Sequence, residues 1–262
     1  MQKLDFTDKV AVVTGGGGGI GRATCLKLAE GGAKVVIVDL AEDLGNETLK
    51  QVKEAGGDAI FVKADLTQEE DIKNYIEETI KTYGKIDILM NNAGWEGKIT
   101  PLVDYTTETF DQVMALNVRG AFLGMRYALP YMYEQKSGAI VNVASGAGFL
   151  GTPNMIAYGA SKHALLGMTK TAGVEAAPHG VYVNAVCPGV VDTDMMRSIE
   201  SGFAGGDEEG AKAAKKSLEE SAPTGRYSTP EEVANLMIYL ASDLATHVVG
   251  QSFVIDGGAI LT

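Results

Sequence analysis

Cysteine, histidine, proline and tryptophan are all scarce in this chain of 262 residues, and each shortage closes off a class of function. The two cysteines, Cys25 and Cys187, fall in a helical pattern and at the end of an apolar strand-like run. Buried free thiols are the default there, so no disulfide framework is expected. His163, His179 and His247 are the only histidines, and they lack ligand-like spacing, which argues against a metal centre. Seven prolines against 33 glycines suit a chain with many tight strand-to-helix turns. No stretch reaches eighteen consecutive apolar residues, and residues 1–6 hold no apolar signal-peptide core, so a soluble cytoplasmic protein is expected. Basic residues are outnumbered, 22 against 34 acidic ones, and the net charge of −12 repels nucleic acid and anionic membranes.

Apolar residues are plentiful at 45%, enough for a large core. Short apolar runs alternate with longer helical periods. Strands are predicted at 9–14, 34–38, 59–63, 86–90, 139–143, 182–186 and 252–255, and helices at 20–30, 43–54, 68–83, 107–134, 157–176 and 230–241. The near-continuous Val/Ile/Ala runs mark strands covered on both faces. The expected fold is therefore α/β: a single-domain, Rossmann-type, doubly wound parallel sheet of about seven strands flanked by helices. Pro130 is expected to kink or close the long helix at 107–134. Residues 194–226, punctuated by Gly202 and Gly205-Gly206, read either as a solvated loop with a helix or as a flap over a ligand, and the flap is preferred.

The first strand runs into Thr14-Gly15-Gly16-Gly17-Gly18-Gly19-Ile20-Gly21 and then into a helix. Glycines let the backbone turn tightly and approach a pyrophosphate, while the helix start offers free N–H groups and a positive dipole end. Asp39 ends the second strand, eighteen residues after Gly21, where a carboxylate accepts hydrogen bonds from ribose hydroxyls and repels a 2′-phosphate. Leu40 follows it, and no Lys or Arg lies within 15–19, so the cofactor expected is NAD.

Tyr158 and Lys162 stand four residues apart, on one face of a predicted helix. A cation beside a phenol favours the phenolate, which would turn a group that titrates near pH 10 into a usable proton acceptor and donor. Ser145, just after the fifth strand, is placed to donate to a carbonyl oxygen where charge builds in the transition state.

Together with Asn91-Asn92-Ala93-Gly94, Asn117, and Pro188-Gly189 with Thr193, these motifs resemble the short-chain dehydrogenase/reductase family in its single-domain branch. Gly84-Lys85-Ile86-Asp87 and Pro153-Asn154-Met155 look like bacterial polyol dehydrogenases of the xylitol type. The resemblance implies reversible hydride transfer between a secondary alcohol and NAD, with Tyr158 as acid/base. It implies that Lys162 also holds the nicotinamide ribose, and that Asn117 holds a water linking Lys162 to solvent. It gives Asp65 and the Leu66 backbone to the adenine, Asn92, Ala93 and Gly94 to the adenosine ribose, and Val191 and Thr193 to the carboxamide. Asp65 has another reading as the cap of the next helix, although Thr67 can fill that place. Relatives usually form tetramers through the two long helices and the C-terminal strand region, so a homotetramer is expected.

The candidate substrate wall is Trp95, Glu96, Gly146, Phe149, Met155, Gly189, Met195, Met196 and Phe203. Glu96 and Asn154 suit extra hydroxyls on a polyol, whereas the Met and Phe residues suit a cyclic alcohol or hydroxysteroid. A non-catalytic NAD-binding regulator is the reading from another class, and the intact Ser145, Tyr158, Lys162 and Asn117 set argues against it. A sugar epimerase or dehydratase of the larger branch would need different glycine spacing and a separate substrate domain.

Overall fold

Seven short β-branched segments and nine helices alternate along residues 4–261, the portion described by a computed structural model. The reading of residues 1–6 falls partly on 1–3, which lie outside the described residues. Strands β1 (Val10–Thr14), β2 (Lys34–Asp39), β3 (Asp58–Lys63), β4 (Ile88–Asn91), β5 (Gly138–Val143), β6 (Val181–Pro188) and β7 (Ser252–Ile255) form one sheet in the order β3-β2-β1-β4-β5-β6-β7. Every neighbouring pair is parallel. Both faces are covered, which explains the unbroken apolar runs: Val12 and Val13 point to opposite faces of β1, join different core clusters and are both fully buried.

The crossovers are helices α1 (Gly19–Glu30), α2 (Glu42–Glu54), α3 (Glu69–Tyr83), α4 (Thr107–Met114), α5 (Ala121–Gln135), α6 (Ile156–Ala176) and α9 (Pro230–Leu240), and α7 (Asp194–Phe203) and α8 (Glu208–Glu220) lie between β6 and α9. Local chemistry accounts for their ends. α3 begins with Glu69, Glu70 and Asp71 at its positive dipole end and closes on Gly84 in the left-handed region. α9 carries a full capping box, in which the Thr229 hydroxyl and the Glu232 carboxylate accept from each other's backbone N–H and Pro230 opens the first turn.

The structure departs from the sequence expectation in the long helix. The helix expected at 107–134 is broken by a wider, π-helical turn at Ala115–Gly120. Asn117 lies within it and is captured by partners from two other segments, and such insertions cluster at functional sites. Pro130 does not end α5, which runs on to Gln135 and stops only where Lys136 turns left-handed at φ 53°. The segment 194–226 is mostly two helices, α7 and α8, joined through Gly205-Gly206 at φ 62° and 89°. Among the described residues, no helix is long and apolar enough to cross a membrane.

The chain turns outward from β1 in both directions, so a crevice opens at the carboxyl ends of β1 and β4, where open parallel sheets bind ligands. α9 packs on α1, the helix that opens this crevice. Thr229→Ala should cost about 1 kcal/mol of stability in urea unfolding through loss of the cap. An unchanged midpoint would remove the capping box from this account.

Candidate active site

At the β1 end of the crevice the glycine turn forms a cradle. Gly15 and Gly19 adopt φ of 63° and 50°, and a β-carbon on Gly21 would fall 2.0 Å from the Gly15 oxygen, so the turn closes too tightly for a side chain there. Gly18 caps α1 with no side chain, no acid occupies the first helical turn, and the space where its β-carbon would stand is open. The first N–H groups and the positive end of the helix dipole are thus available to an anion. Asp39 sits across the turn, its Oδ2 accepting from Gly17 N at 2.9 Å and its Oδ1 from Ala41 N at 2.9 Å. Asn92 Nδ2 donates to the Thr14 and Gly15 carbonyls at 3.0 and 3.1 Å, which ties the end of β4 to the turn. Thr193 faces the same cradle, since a β-carbon on Gly19 would lie 3.0 Å from its Cγ2. An open, side-chain-free helix start with a carboxylate at the neighbouring strand end fits a dinucleotide.

The other end of the crevice holds Ser145, Tyr158 and Lys162. Lys162 is buried and donates through Nζ to the Val143 carbonyl at 2.8 Å, and it lies 5.3 Å from the centre of the Tyr158 ring. The Ser145 hydroxyl stands beside the Tyr158 phenol and favours its ionised form. Ser145 Oγ accepts from Ala147 N at 3.1 Å, so its proton is left to point toward the phenol. Asn117, on the π-helical turn that packs against α6, accepts from Trp95 N at 2.8 Å and donates to the Trp95 carbonyl at 2.9 Å and to Ser161 Oγ at 3.0 Å. Ser161 in turn donates to the Tyr158 carbonyl at 2.8 Å. Both amide protons of Asn117 are therefore taken, and the side chain offers a water only the second lone pair of Oδ1.

The electrostatics differ from the simple pairing read in the sequence. Burial is the largest influence on Tyr158 and pushes its pKa up, the Ser145 hydroxyl draws it down, and the charge of Glu96 raises it again. Burial also holds Lys162 down to about 8, with the nearby Cys187 sulfur opposing. Desolvation is the largest influence on both groups, and neither is shifted by the other. A lysine with its folded pKa lowered binds fewer protons than the unfolded chain between about 8 and its ordinary 10.5, so its contribution to stability rises with pH across that window.

One cavity of about 590 Å³ joins the two ends. Gly15, Gly18, Gly19, Ile20, Asp39, Asn92, Ala93, Gly94, Val191 and Thr193 line it, together with Ser145, Tyr158 and Lys162. Of the expected substrate wall, Gly146, Met155, Gly189, Met195, Met196 and Phe203 also line it. Trp95, Glu96 and Phe149 do not: Trp95 is held by Asn117 through its backbone, Glu96 is buried behind Tyr158, and Phe149 is exposed. Gly21 lies behind the turn, Leu40 is largely exposed, and Asp65 and Leu66 lie beyond β3 outside the cavity lining. Asp65 Oδ1 accepts from Thr67 N and Oγ1 at 2.9 and 2.7 Å, a local turn ahead of α3, whose N-cap Gln68 has no side-chain cap bond, so neither Asp65 nor Thr67 caps that helix. The sequence reading missed Leu218 from α8 and Asp256, Ala259 and Ile260 after β7. The acid and paired glycines of Asp256-Gly257-Gly258, following a strand, were the available signal for a turn there. Among the described residues no cluster of His, Cys, Asp or Glu could hold a metal ion.

Comparison with known proteins agrees with this geometry. The sequence profile for short chain dehydrogenase matches residues 9–203. The levodione reductase of Leifsonia aquatica is 38% identical over 255 residues, spanning 97% of this chain and 94% of the relative. The 2,5-dichloro-2,5-cyclohexadiene-1,4-diol dehydrogenase of Sphingobium indicum is 38% identical over 255 residues, spanning 97% and 98%. The crystal structure of an NAD+-bound xylitol dehydrogenase superposes with a TM-score of 0.92 at 35% identity, covering 97% of this chain and 99% of that one. The chain belongs to the short-chain dehydrogenase family, oxidoreductases that interconvert alcohols and ketones with a nicotinamide cofactor.

The opposing influences on Tyr158 give a direct check. In ultraviolet titrations of the cofactor-free protein, read as differences from Tyr158→Phe, Ser145→Ala should move phenol ionisation to higher pH and Glu96→Gln to lower pH. Shifts of the opposite sign would refute the assignment of these neighbours.

Proposed function

We propose that this protein is an NAD-dependent dehydrogenase that interconverts a secondary alcohol and a ketone, with an apolar, ring-sized molecule as substrate. The observation that carries the reading is one cavity holding the glycine cradle and Asp39 at one end and Ser145, Tyr158 and Lys162 at the other.

The bound nicotinamide supplies the hydride acceptor in oxidation and the donor in reduction. The chain's own residues manage orientation and the proton. Ser145, its Oγ held by Ala147 N, turns its hydroxyl proton from the phenol to the substrate oxygen, where charge develops. Tyr158 takes the alcohol proton in oxidation and returns it in reduction. Lys162, held between the Val143 carbonyl and the Tyr158 ring, supplies positive charge beneath the phenol and hydrogen bonds to the nicotinamide ribose. Asn117 positions the loop at Trp95 and the backbone of Tyr158, and its remaining lone pair is the site for a relay water. Val191 and Thr193 hold the carboxamide end, and Asp39 accepts the ribose hydroxyls. Asp65 and the Leu66 backbone serve the adenine from outside the cavity lining.

The preference for NAD rests on Asp39, which repels a 2′-phosphate, and on the absence of a basic residue within the turn. A ring-sized apolar substrate is favoured over a polyol because Met155, Met195, Met196 and Phe203 form the wall, while Glu96 and Asn154, the groups suited to extra hydroxyls, are not part of it. The cyclic diol in the name of the Sphingobium relative agrees with this choice. The proposal includes a homotetramer in the cytoplasm. Val118, Phe122 and Met168 share an open apolar groove across the middle helices, and Phe122 is 46% exposed, which suits a second copy.

Tyr158→Phe should lower turnover of cyclohexanol with NAD about a hundredfold to ten-thousandfold while NAD still binds. Full turnover would defeat the acid/base assignment, and a wild-type protein that binds NAD but oxidises no alcohol and reduces no ketone in a broad panel would favour a regulator. Asp39→Ala should weaken NAD more than NADP in binding titrations, and an unchanged preference would remove its role. Light scattering should give a tetramer for the natural chain and a smaller species for Phe122→Asp; a monomeric natural chain would overturn the assembly.

A further inference from the structure

The wall of the pocket beside Ser145 is made by the last turn of the chain. β7 ends at Ile255, and the buried Asp256 carboxylate follows, its Oδ1 accepting from Gly258 N and its Oδ2 from Ile260 N, each at 2.8 Å. Gly257 and Gly258 take φ of 65° and 93°, a reversal that other residues rarely adopt, and a 3-10 turn at Ala259–Leu261 completes it. The reversal carries Ile260 into the cavity lining. Its Cγ2 lies 3.5 Å from where a β-carbon on Gly146 would stand, and Gly146 adjoins Ser145. The turn is clamped from two sides. A β-carbon on Gly189 would fall 2.7 Å from Asp256 Cβ, and one on Gly258 would fall 3.1 Å from Pro223 Cγ at the end of the flap.

We propose that Asp256 is a positioning residue that pins the C-terminal turn, and that Ile260 is thereby a specificity-determining residue, limiting the size of alcohol or ketone that can stand beside Ser145 and Tyr158. The inference rests on the function proposed above. Both carboxylate oxygens are engaged by backbone amides of the same turn, so the carboxylate cannot rotate without losing one of them. The β-branched Ile260 is stiff about its first torsion, which makes the wall rigid. A single methylene in an apolar pocket changes discrimination by about 10–200-fold at most, and Ile260→Ala removes three carbons.

The test compares kcat/KM for menthol and cyclohexanol in the natural chain, Ile260→Ala and Asp256→Asn. The ratio of bulky to small substrate should rise about tenfold or more in Ile260→Ala, mainly through KM. Asp256→Asn should move it in the same direction, since an amide keeps one acceptor and presents a donor to the other N–H. NAD affinity, read from Trp95, the single tryptophan, should not follow the ratio. Ratios unchanged in both variants, with enzyme that turns over, would overturn the proposal. A natural chain that turns over neither alcohol would instead sink the functional reading, and the wall is then judged by labelling Ile260→Cys with a maleimide. Cys25 and Cys187 are buried and should stay silent. Cyclohexanone should slow the labelling and added Asp256→Asn should hasten it; a rate indifferent to both would overturn the wall.

Discussion

A lysine ammonium buried beneath a phenol is the constraint on which this molecule is organised. Lys162 has one backbone acceptor, the Val143 carbonyl at the end of β5, lies beside the Tyr158 ring and otherwise faces the cavity. A charged amine in such a place is costly to bury. Its pKa is driven down to about 8, and the phenol is driven up, so both groups are brought closer to neutrality than their free forms. Burial thus brings the protonation states of the amine close in energy near neutral pH but holds the phenol protonated, and at the phenol it is the Ser145 hydroxyl that works against burial. The sheet contributes a carbonyl at the right height, α6 contributes the four-residue spacing, and the π-helical turn at Asn117 locks the Tyr158 backbone through Ser161.

The same strand ends that create this pair create the cofactor cradle. Because β1 is central and the chain winds outward on both sides, the glycine turn, Asn92, Ser145 and Gly189 all arrive at one edge of the sheet. No single segment forms the site. β1 supplies the turn, β2 the Asp39 carboxylate, β5 and α6 the Ser145, Tyr158 and Lys162 side chains, and the segments after β6 and β7 the far wall.

Features written in short spacing were legible in the sequence. The alternation of strands and helices, the turn at 14–21, Asp39 at a strand end and the Tyr158/Lys162 pair all depend on neighbours within a few residues or on periodicity. Features that depend on distant partners were not legible. The break in the helix at 115–120 arises because Asn117 meets Trp95 and Ser161, 22 and 44 residues away. The size of the desolvation at Tyr158 and Lys162 is a property of packing, so the i,i+4 spacing alone overstated the direct pairing. Glu96 was read as a pocket wall suited to the hydroxyls of a polyol, but it is buried outside the cavity lining, in a loop whose neighbouring Trp95 backbone is bonded by Asn117. Pro130 lies inside α5, which runs on to Gln135, so the helix does not end at the proline. The C-terminal wall at Ile260 emerges only once β7 is placed beside β6.

The most direct measurement of the central claim is the titration of the Lys162 amine itself, followed by nuclear magnetic resonance in lysine-labelled, cofactor-free protein and assigned against Lys162→Met. The account predicts a midpoint near 8, well below the ordinary value of 10.5. A midpoint at 10.5 would show a solvated or fully paired ammonium, and the buried amine–phenol pair would no longer explain the chemistry of this site.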